Sequence, residues 1–230
     1  MIKDRRVALV FRSGALLFAF IGLYSHIGVF SGTFSYGSFM YYTIQSNVLA
    51  ILLFVLLTVR TAKGLREGVH GNAGWYPRLG MVCAVDLLVT LVVFWTLLAP
   101  QGMDTSYLLS FDNIAVHTIT PLLCLLDFVL FAPAGRLKYR DVYYVCIFPV
   151  CYTVFSVVAG LSGYVYGYIS TGSGVFETTP TRFPYFFLDF DQLGILALGY
   201  IGAMLVFFLL LGHAIYLIDH KLRKRSEGLS

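Results

Sequence analysis

The sequence predicts an all-α membrane protein: a six-transmembrane-helix bundle forming one domain over residues 1–230, with both termini cytoplasmic. Three observations lead there. Of the 230 residues, 58% are hydrophobic and 12% charged, with a mean hydropathy of +0.79, far from a soluble composition. The apolar runs are each long enough for a helix to cross a ~30 Å hydrocarbon layer, and they do not alternate with polar residues as barrel strands do. Positive charge, finally, alternates from loop to loop along the chain.

The six spans fall at roughly 7–30, 37–59, 80–99, 112–132, 142–162 and 193–218. Lys3, Arg5 and Arg6 precede the first. A short basic start before an apolar run also opens a signal peptide. This run is long, holds Arg12 and lacks a small-x-small cleavage pattern, so it reads as a retained helix. The second span opens on YYTIQSNVL (41–49), and the third carries Asp86. The fourth, FDNIAVHTITPLLCLLDFVLF (111–131), is the most polar, with Asp112, Asn113, His117, Thr120 and Asp127. Pro121 has no N–H, so a kink is expected that leaves the His117 carbonyl without its i+4 partner. The fifth span is plain, and the sixth leads into a basic tail.

The connections fix the expected orientation. Arg60, Lys63, Arg66 and Arg78 fill one loop, Arg136, Lys138 and Arg140 another, and Lys221, Arg223, Lys224 and Arg225 the tail. The other three loops hold only Arg182. Basic loops stay in the cytoplasm and meet anionic lipid there. Tyr36, Tyr41, Tyr42, Trp95, Tyr107, Tyr164, Tyr166 and Tyr168 cluster at the other face, as an interfacial belt or as the lining of a lipid groove. Cys83, Cys124, Cys146 and Cys151 lie within apolar runs without a C-x-x-C pair and read as small buried hydrophobes.

Orientation converts sequence position into depth. Thr43 lies ~9 Å below the outer end of the second span at ~1.5 Å per residue, and His117 sits at a similar depth in the fourth. Thr43 and Asn47 share a helix face, as do Asn113 and His117, and His26 can join them. A second layer holds Arg12, Asp86, Asp127 and His213 near the cytoplasmic side. It is either a clamp of mutually neutralising charges or a proton or ion relay.

A hydroxyl and an imidazole at one depth suit nucleophilic catalysis. The imidazole takes the hydroxyl proton as the oxygen attacks an acyl carbon, then returns it to the leaving alcohol. Asn47, Gln45 or Asn113 can orient the base or hydrogen-bond an oxyanion. A membrane threonine more often bonds its own i−4 carbonyl or packs between helices. No P-loop, G-x-S-x-G, H-E-x-x-H or dinucleotide motif is present, and the five scattered histidines do not form a metal site.

The segments YYTIQSNVL (41–49), VHTITP (116–121) with Asp127 behind it, and PYFFLDF (184–190) resemble the androgen-induced integral membrane protein family. Its animal members are six-span threonine hydrolases of fatty acid esters of hydroxy fatty acids. The resemblance implies Thr43 as nucleophile, in the position of the family's second-span threonine. It implies His117, followed by Thr118, as the essential histidine of a His-Thr motif. Tyr185, Phe187, Leu188 and Asp189 match a late Tyr-x-Phe-Leu-acid motif. Pro121 follows His117 by four residues rather than the five of animal members, and Gln45-Ser46-Asn47 is similar to the bacterial-type branch. That implies a multi-pass protein of a bacterial cytoplasmic membrane. Its expected partners are a lipid or fatty acid ester substrate and membrane lipids, with no nucleic acid, metal or cofactor.

Residues 163–192 form the one long loop, and PTRFPYFFLDFDQ within it reads as a lid over the outer pocket. Asp189 either orients His117 as a third member or caps the sixth span. The alternatives to an esterase are a small proton-coupled transporter, motivated by the inner charges, and a non-catalytic lipid-binding protein. The two halves of the chain show no internal repeat of the kind many carriers carry.

Overall fold

The structure, a computed structural model, describes residues 2–71, 73, 74, 76–170 and 178–227. Six helices are long and apolar enough to cross a membrane: α1 (Arg5–His26), α2 (Tyr42–Arg66), α3 (Pro77–Gln101), α4 (Phe111–Phe131), α5 (Tyr139–Leu161) and α6 (Leu196–Glu227). The amide of Ile2 bonds Leu130 O at the end of α4, and Leu137 N bonds Asp219 near the end of α6. Both chain ends therefore sit at one end of the bundle, and Thr43, at the start of α2, sits at the other.

Small residues explain why α1 packs closely. Ala8, Ala15, Ala19 and Gly22 are buried along one face, a small-residue stripe that lets neighbouring backbones approach. A Cβ added at Gly22 would lie 2.6 Å from the Ala115 Cβ of α4. The same face carries Arg12, 1% exposed. Its guanidinium donates to Asp127 Oδ1 at 2.6 Å and Oδ2 at 3.1 Å, and to Thr61 Oγ1 and Ala73 O, each at 2.7 Å. One side chain thus ties α1 to α2, α4 and the loop before α3. A buried charge is tolerated when it is this fully paired.

α3 and α4 are interrupted at matching levels. Phe94–Leu98 and Ala115–Ile119 are π-turns, one residue wider than the α-helical turn. Trp95 Nε1 donates to Thr118 Oγ1 at 2.9 Å, joining the two turns. α6 packs closely on Tyr139–Cys146, the first turns of α5, and scarcely on Ile147–Leu161. The two helices part toward the end that carries Thr43.

The long loop enters that space. Its outer edge is a hairpin of β1 (Gly167–Ser170) and β2 (Thr178–Thr181), antiparallel with Gly167 opposite Thr181, an element the sequence pattern did not suggest. Residues 171–177 and the side chains of Tyr168 and Arg225 lie outside the described ones. Beyond the hairpin, Phe183, Phe187 and Leu188 turn inward and join the main core. Gly160 of α5 lets the loop settle: a Cβ there would overlap the Arg182 carbonyl oxygen. All four cysteines are free. Cys83 and Cys124 are buried as expected, but Cys146 is half-buried and Cys151 faces outward, where the surrounding solvent is lipid.

Candidate active site

The backbone arrives at α2 extended at Tyr41 and turns helical at Tyr42. The first amides of a helix have no partner within it. Tyr42 N donates instead to the Tyr185 hydroxyl of the long loop, at 3.1 Å. Thr43 is next, half-buried in the first turn. One turn on, Asn47 is fully buried and donates to Thr43 O at 2.8 Å and to Val116 O of α4 at 3.0 Å.

The bond to Val116 follows from the π-turn. Thr120 N–H reaches back five residues to Ala115 O, and Pro121 has no N–H to offer. Val116 O must look outside its helix, and Asn47 supplies the donor. The sequence places the orphaned carbonyl at His117; the wider turn shifts it to Val116. Asn47 thereby splices the helix of Thr43 to the helix of His117 at the level of the site.

His117 sits inside the π-turn, 5% exposed. Its Nδ1 lies 3.1 Å from Asn113 O. A carbonyl only accepts, so Nδ1 carries the proton and Nε2 presents its lone pair. Nε2 is 3.4 Å from Thr43 Oγ1, which makes the threonine the donor. Phe94 of the facing π-turn stacks on the imidazole, with centroids 3.6 Å apart and planes 19° apart. The ring is held by a carbonyl at one edge and a phenyl on one face. The His26 ring stands edge-on to it at 5.7 Å, and His26 Nδ1 is 3.2 Å from Asp112 Oδ2.

Thr43 opens onto a cavity of about 460 Å³ lined almost wholly by apolar side chains. His117 lies behind Thr43 rather than in the cavity wall. Phe94, Phe187 and Phe208 form the inner wall, while Val154 of α5 and Leu198 of α6 flank the side where those helices part. Val154 and Leu198 are 58% and 56% exposed, so this side faces the hydrocarbon. Volume and apolar lining fall in the range of small-molecule pockets.

The other candidates separate. Asn113 contributes its backbone carbonyl; its side chain donates to Leu108 O and leaves His117 alone. Gln45 donates to Phe39 O and does not reach His117. Asp189 does not approach His117 either. Its Oδ1 caps the single turn Phe190–Leu193 through the amides of Asp191 and Gln192. Arg182 holds the same turn through Asp191, whose carboxyl its hydrogen bonds and charge keep below the ordinary range.

The expected inner layer of four charges resolves into three places. Arg12 and Asp127 pair as described. Asp86 joins neither: it accepts from the Tyr42 hydroxyl at 3.1 Å. α3 begins at Pro77, three residues earlier than the pattern places it, which sets Asp86 ~13 Å into the membrane at ~1.5 Å per residue. His213 lies toward the outside of α6, with Nε2 3.2 Å from the Tyr139 hydroxyl. No continuous relay joins these groups among the described residues.

Sequence reasoning did not single out Phe94 or the Tyr42–Asp86 contact. An aromatic in an apolar run looks like core, so Phe94 carries no signal. The doublet Tyr41-Tyr42 ahead of Thr43 was a signal, read as interfacial belt or groove lining and not as a partner for Asp86. The described residues contain no cluster of three or more His, Cys, Asp or Glu able to hold a metal ion. Comparison of the chain with models of known protein families, with curated proteins and with solved structures finds no match.

Proposed function

We propose that this protein hydrolyses lipid esters within the membrane, with Thr43 as nucleophile and His117 as general base. The observation that carries the reading is the Thr43 Oγ1 to His117 Nε2 contact of 3.4 Å, made in the one tautomer that can accept the threonine proton. Catalytic contacts in unliganded sites are often this long and tighten on binding. Support also comes from the cavity, which offers an acyl chain a sideways route from the bilayer to the hydroxyl.

The chemistry balances without a cofactor. Thr43 Oγ1 bonds the acyl carbon while His117 Nε2 takes its proton, and the carbonyl electron pair moves to oxygen. The tetrahedral adduct collapses, the ester C–O bond breaks, and the alcohol leaves with the proton from His117. Water, deprotonated by the same imidazole, then attacks the acyl-threonine; the acyl C–Oγ1 bond breaks, His117 returns the proton to Thr43 Oγ1, and the fatty acid is released. The low-dielectric surroundings strengthen each step of charge transfer. The basic loops on the end that carries the termini favour a cytoplasmic placement of that end, in a bacterial membrane, with the site in the outer half.

The test is hydrolysis of a branched long-chain fatty acid ester by protein purified into lipid nanodiscs. Wild type releases fatty acid, and Thr43→Ala and His117→Ala, folded to the same melting temperature, do not. Turnover retained in either variant removes that residue from its role. No turnover by folded wild type rejects the hydrolase reading and leaves a lipid-binding cavity.

A further inference from the structure

The geometry points to the Tyr185 hydroxyl as the donor that holds the oxyanion formed when Thr43 attacks an ester carbonyl, an inference that rests on the hydrolase reading above. Such a donor must face the cavity beside the nucleophile and hold a proton that no carbonyl or carboxylate already claims. Tyr42, Thr43, Thr90, Tyr152, Thr153 and Tyr185 are the hydroxyl-bearing residues that line the cavity.

Their protons can be traced one by one. Tyr42 donates to Asp86, and Thr90 to Asp86 O. Tyr152 donates to Met40 O at 3.1 Å, and Thr153 to Pro149 O at 2.8 Å. Thr43 faces the His117 lone pair. Tyr185 differs from all of these. Its oxygen accepts the Tyr42 amide at 3.1 Å, and the other hydroxyls it meets are those of Tyr152 and of Thr43 itself, so its proton is committed to no carbonyl or carboxylate among the described residues. The Tyr42 amide precedes Thr43 by one residue, so the phenol oxygen is pinned at the helix terminus that bears the nucleophile.

The ring is also fixed. It stacks on Phe187 at 5.1 Å and meets Tyr41 edge-on at 6.3 Å. The donor therefore needs little reorganisation when charge develops, which is the condition under which an oxyanion contact is strongest. Burial pushes the phenol up to about 12, so it stays protonated at any pH where the protein is handled. In the ground state the proton meets only neutral hydroxyls; in the tetrahedral adduct the carbonyl oxygen, now anionic, is the stronger acceptor. That difference is what accelerates a step rather than tightening substrate binding.

The experiment compares wild type, Tyr185→Phe and Tyr139→Phe in nanodiscs. Tyr139→Phe removes a phenol outside the cavity, the one beside His213, and serves as the control. Two quantities are read: kcat and KM for a long-chain ester, and the affinity of a trifluoromethyl ketone of the same chain relative to the matching alkane. The ketone is attacked by the nucleophile and carries an oxyanion; the alkane reports the cavity alone. Tyr185→Phe is expected to lose roughly 100-fold in kcat with KM little changed. Its ketone-to-alkane preference falls by a similar factor, while Tyr139→Phe keeps both. An equally fast Tyr185→Phe, a loss confined to KM, or an unchanged ketone preference overturns the assignment. If Tyr185→Phe melts early, the ketone preference measured below its melting temperature still decides. A wild type that neither hydrolyses ester nor captures ketone rejects the hydrolase reading itself, a result distinct from an active wild type with an active Tyr185→Phe.

Discussion

One methyl group at Gly22, where α1 meets the π-turn of α4, is enough to test the site's geometry. A Cβ there falls 2.6 Å from the Ala115 Cβ. Ordinary carbon–carbon contact is ~3.5–4.0 Å, so α1 and α4 must separate by roughly 1 Å. Ala115 opens the π-turn that holds His117 and is completely buried, so the strain passes along that turn. Overpacking of this kind costs about 1–3 kcal/mol, which lowers the melting temperature without preventing folding. The Thr43 to His117 contact is already 3.4 Å, at the long limit of a hydrogen bond, and a further ~1 Å breaks it. A misplacement of that size costs about 100-fold in rate. The assay is kcat for ester hydrolysis in nanodiscs with a melting curve beside it. The repair is Ala115→Gly in the same chain. The new Cβ then meets the backbone Cα at 115 at 3.8 Å, an ordinary contact. The single variant is expected to be slow and the double variant close to wild type. A single variant with full turnover, or a double variant as slow as the single, refutes the packing route to His117.

Three further outcomes can be measured. Gly160→Ala pushes the Arg182 carbonyl away and lifts the segment that carries Phe183 and Tyr185; trypsin then cuts after Arg182 faster than in wild type, and kcat/KM falls. Asp127→Ala leaves the buried Arg12 charge unpaired and should cost about 3–5 kcal/mol in detergent unfolding, with Arg12→Met in the same chain recovering much of it; equal stability of Asp127→Ala and wild type contradicts the clamp. In a chain with its native cysteines replaced, a membrane-impermeant maleimide added to intact cells is expected to label Met103→Cys and not Arg66→Cys. The reverse pattern inverts the orientation and moves the site to the inner leaflet.

The parts of the fold legible in the sequence are those fixed by length and charge. Six apolar runs have one economical solution in lipid, because backbone polar groups must be satisfied within each span. The shared depth of Thr43 and His117 was legible for the same reason, since helical rise turns position into depth. Helix rotation and neighbour order were not. Asp86 illustrates the gap. Its depth alone groups it with Arg12 and Asp127, but Tyr42, a long side chain on a different helix, claims it. Asp189 illustrates another: an acid beside a histidine motif invites a triad, while the two amides following it in the chain are nearer partners.

The π-turns lie deeper still beyond sequence pattern. A turn that holds one extra residue rotates everything before it by ~100° relative to a continuous α-helix. In α4 that rotation separates the Asn113 end of the helix from the Asp127 end. It puts the Asn113 carbonyl under His117 Nδ1 and exposes the Val116 carbonyl to Asn47. In α3 the matching turn brings Phe94 flat against the imidazole. Pro121 contributes by withholding a donor, yet proline alone specifies a kink, not a widened turn. The widened turn persists because Asn47 donates to the carbonyl it leaves over and the Trp95–Thr118 bond ties it to the matching turn of α3. The His117 ring, its contact with Thr43 and the Phe94 wall are thus set by two helix irregularities that support each other, and neither has a signature of its own in the chain.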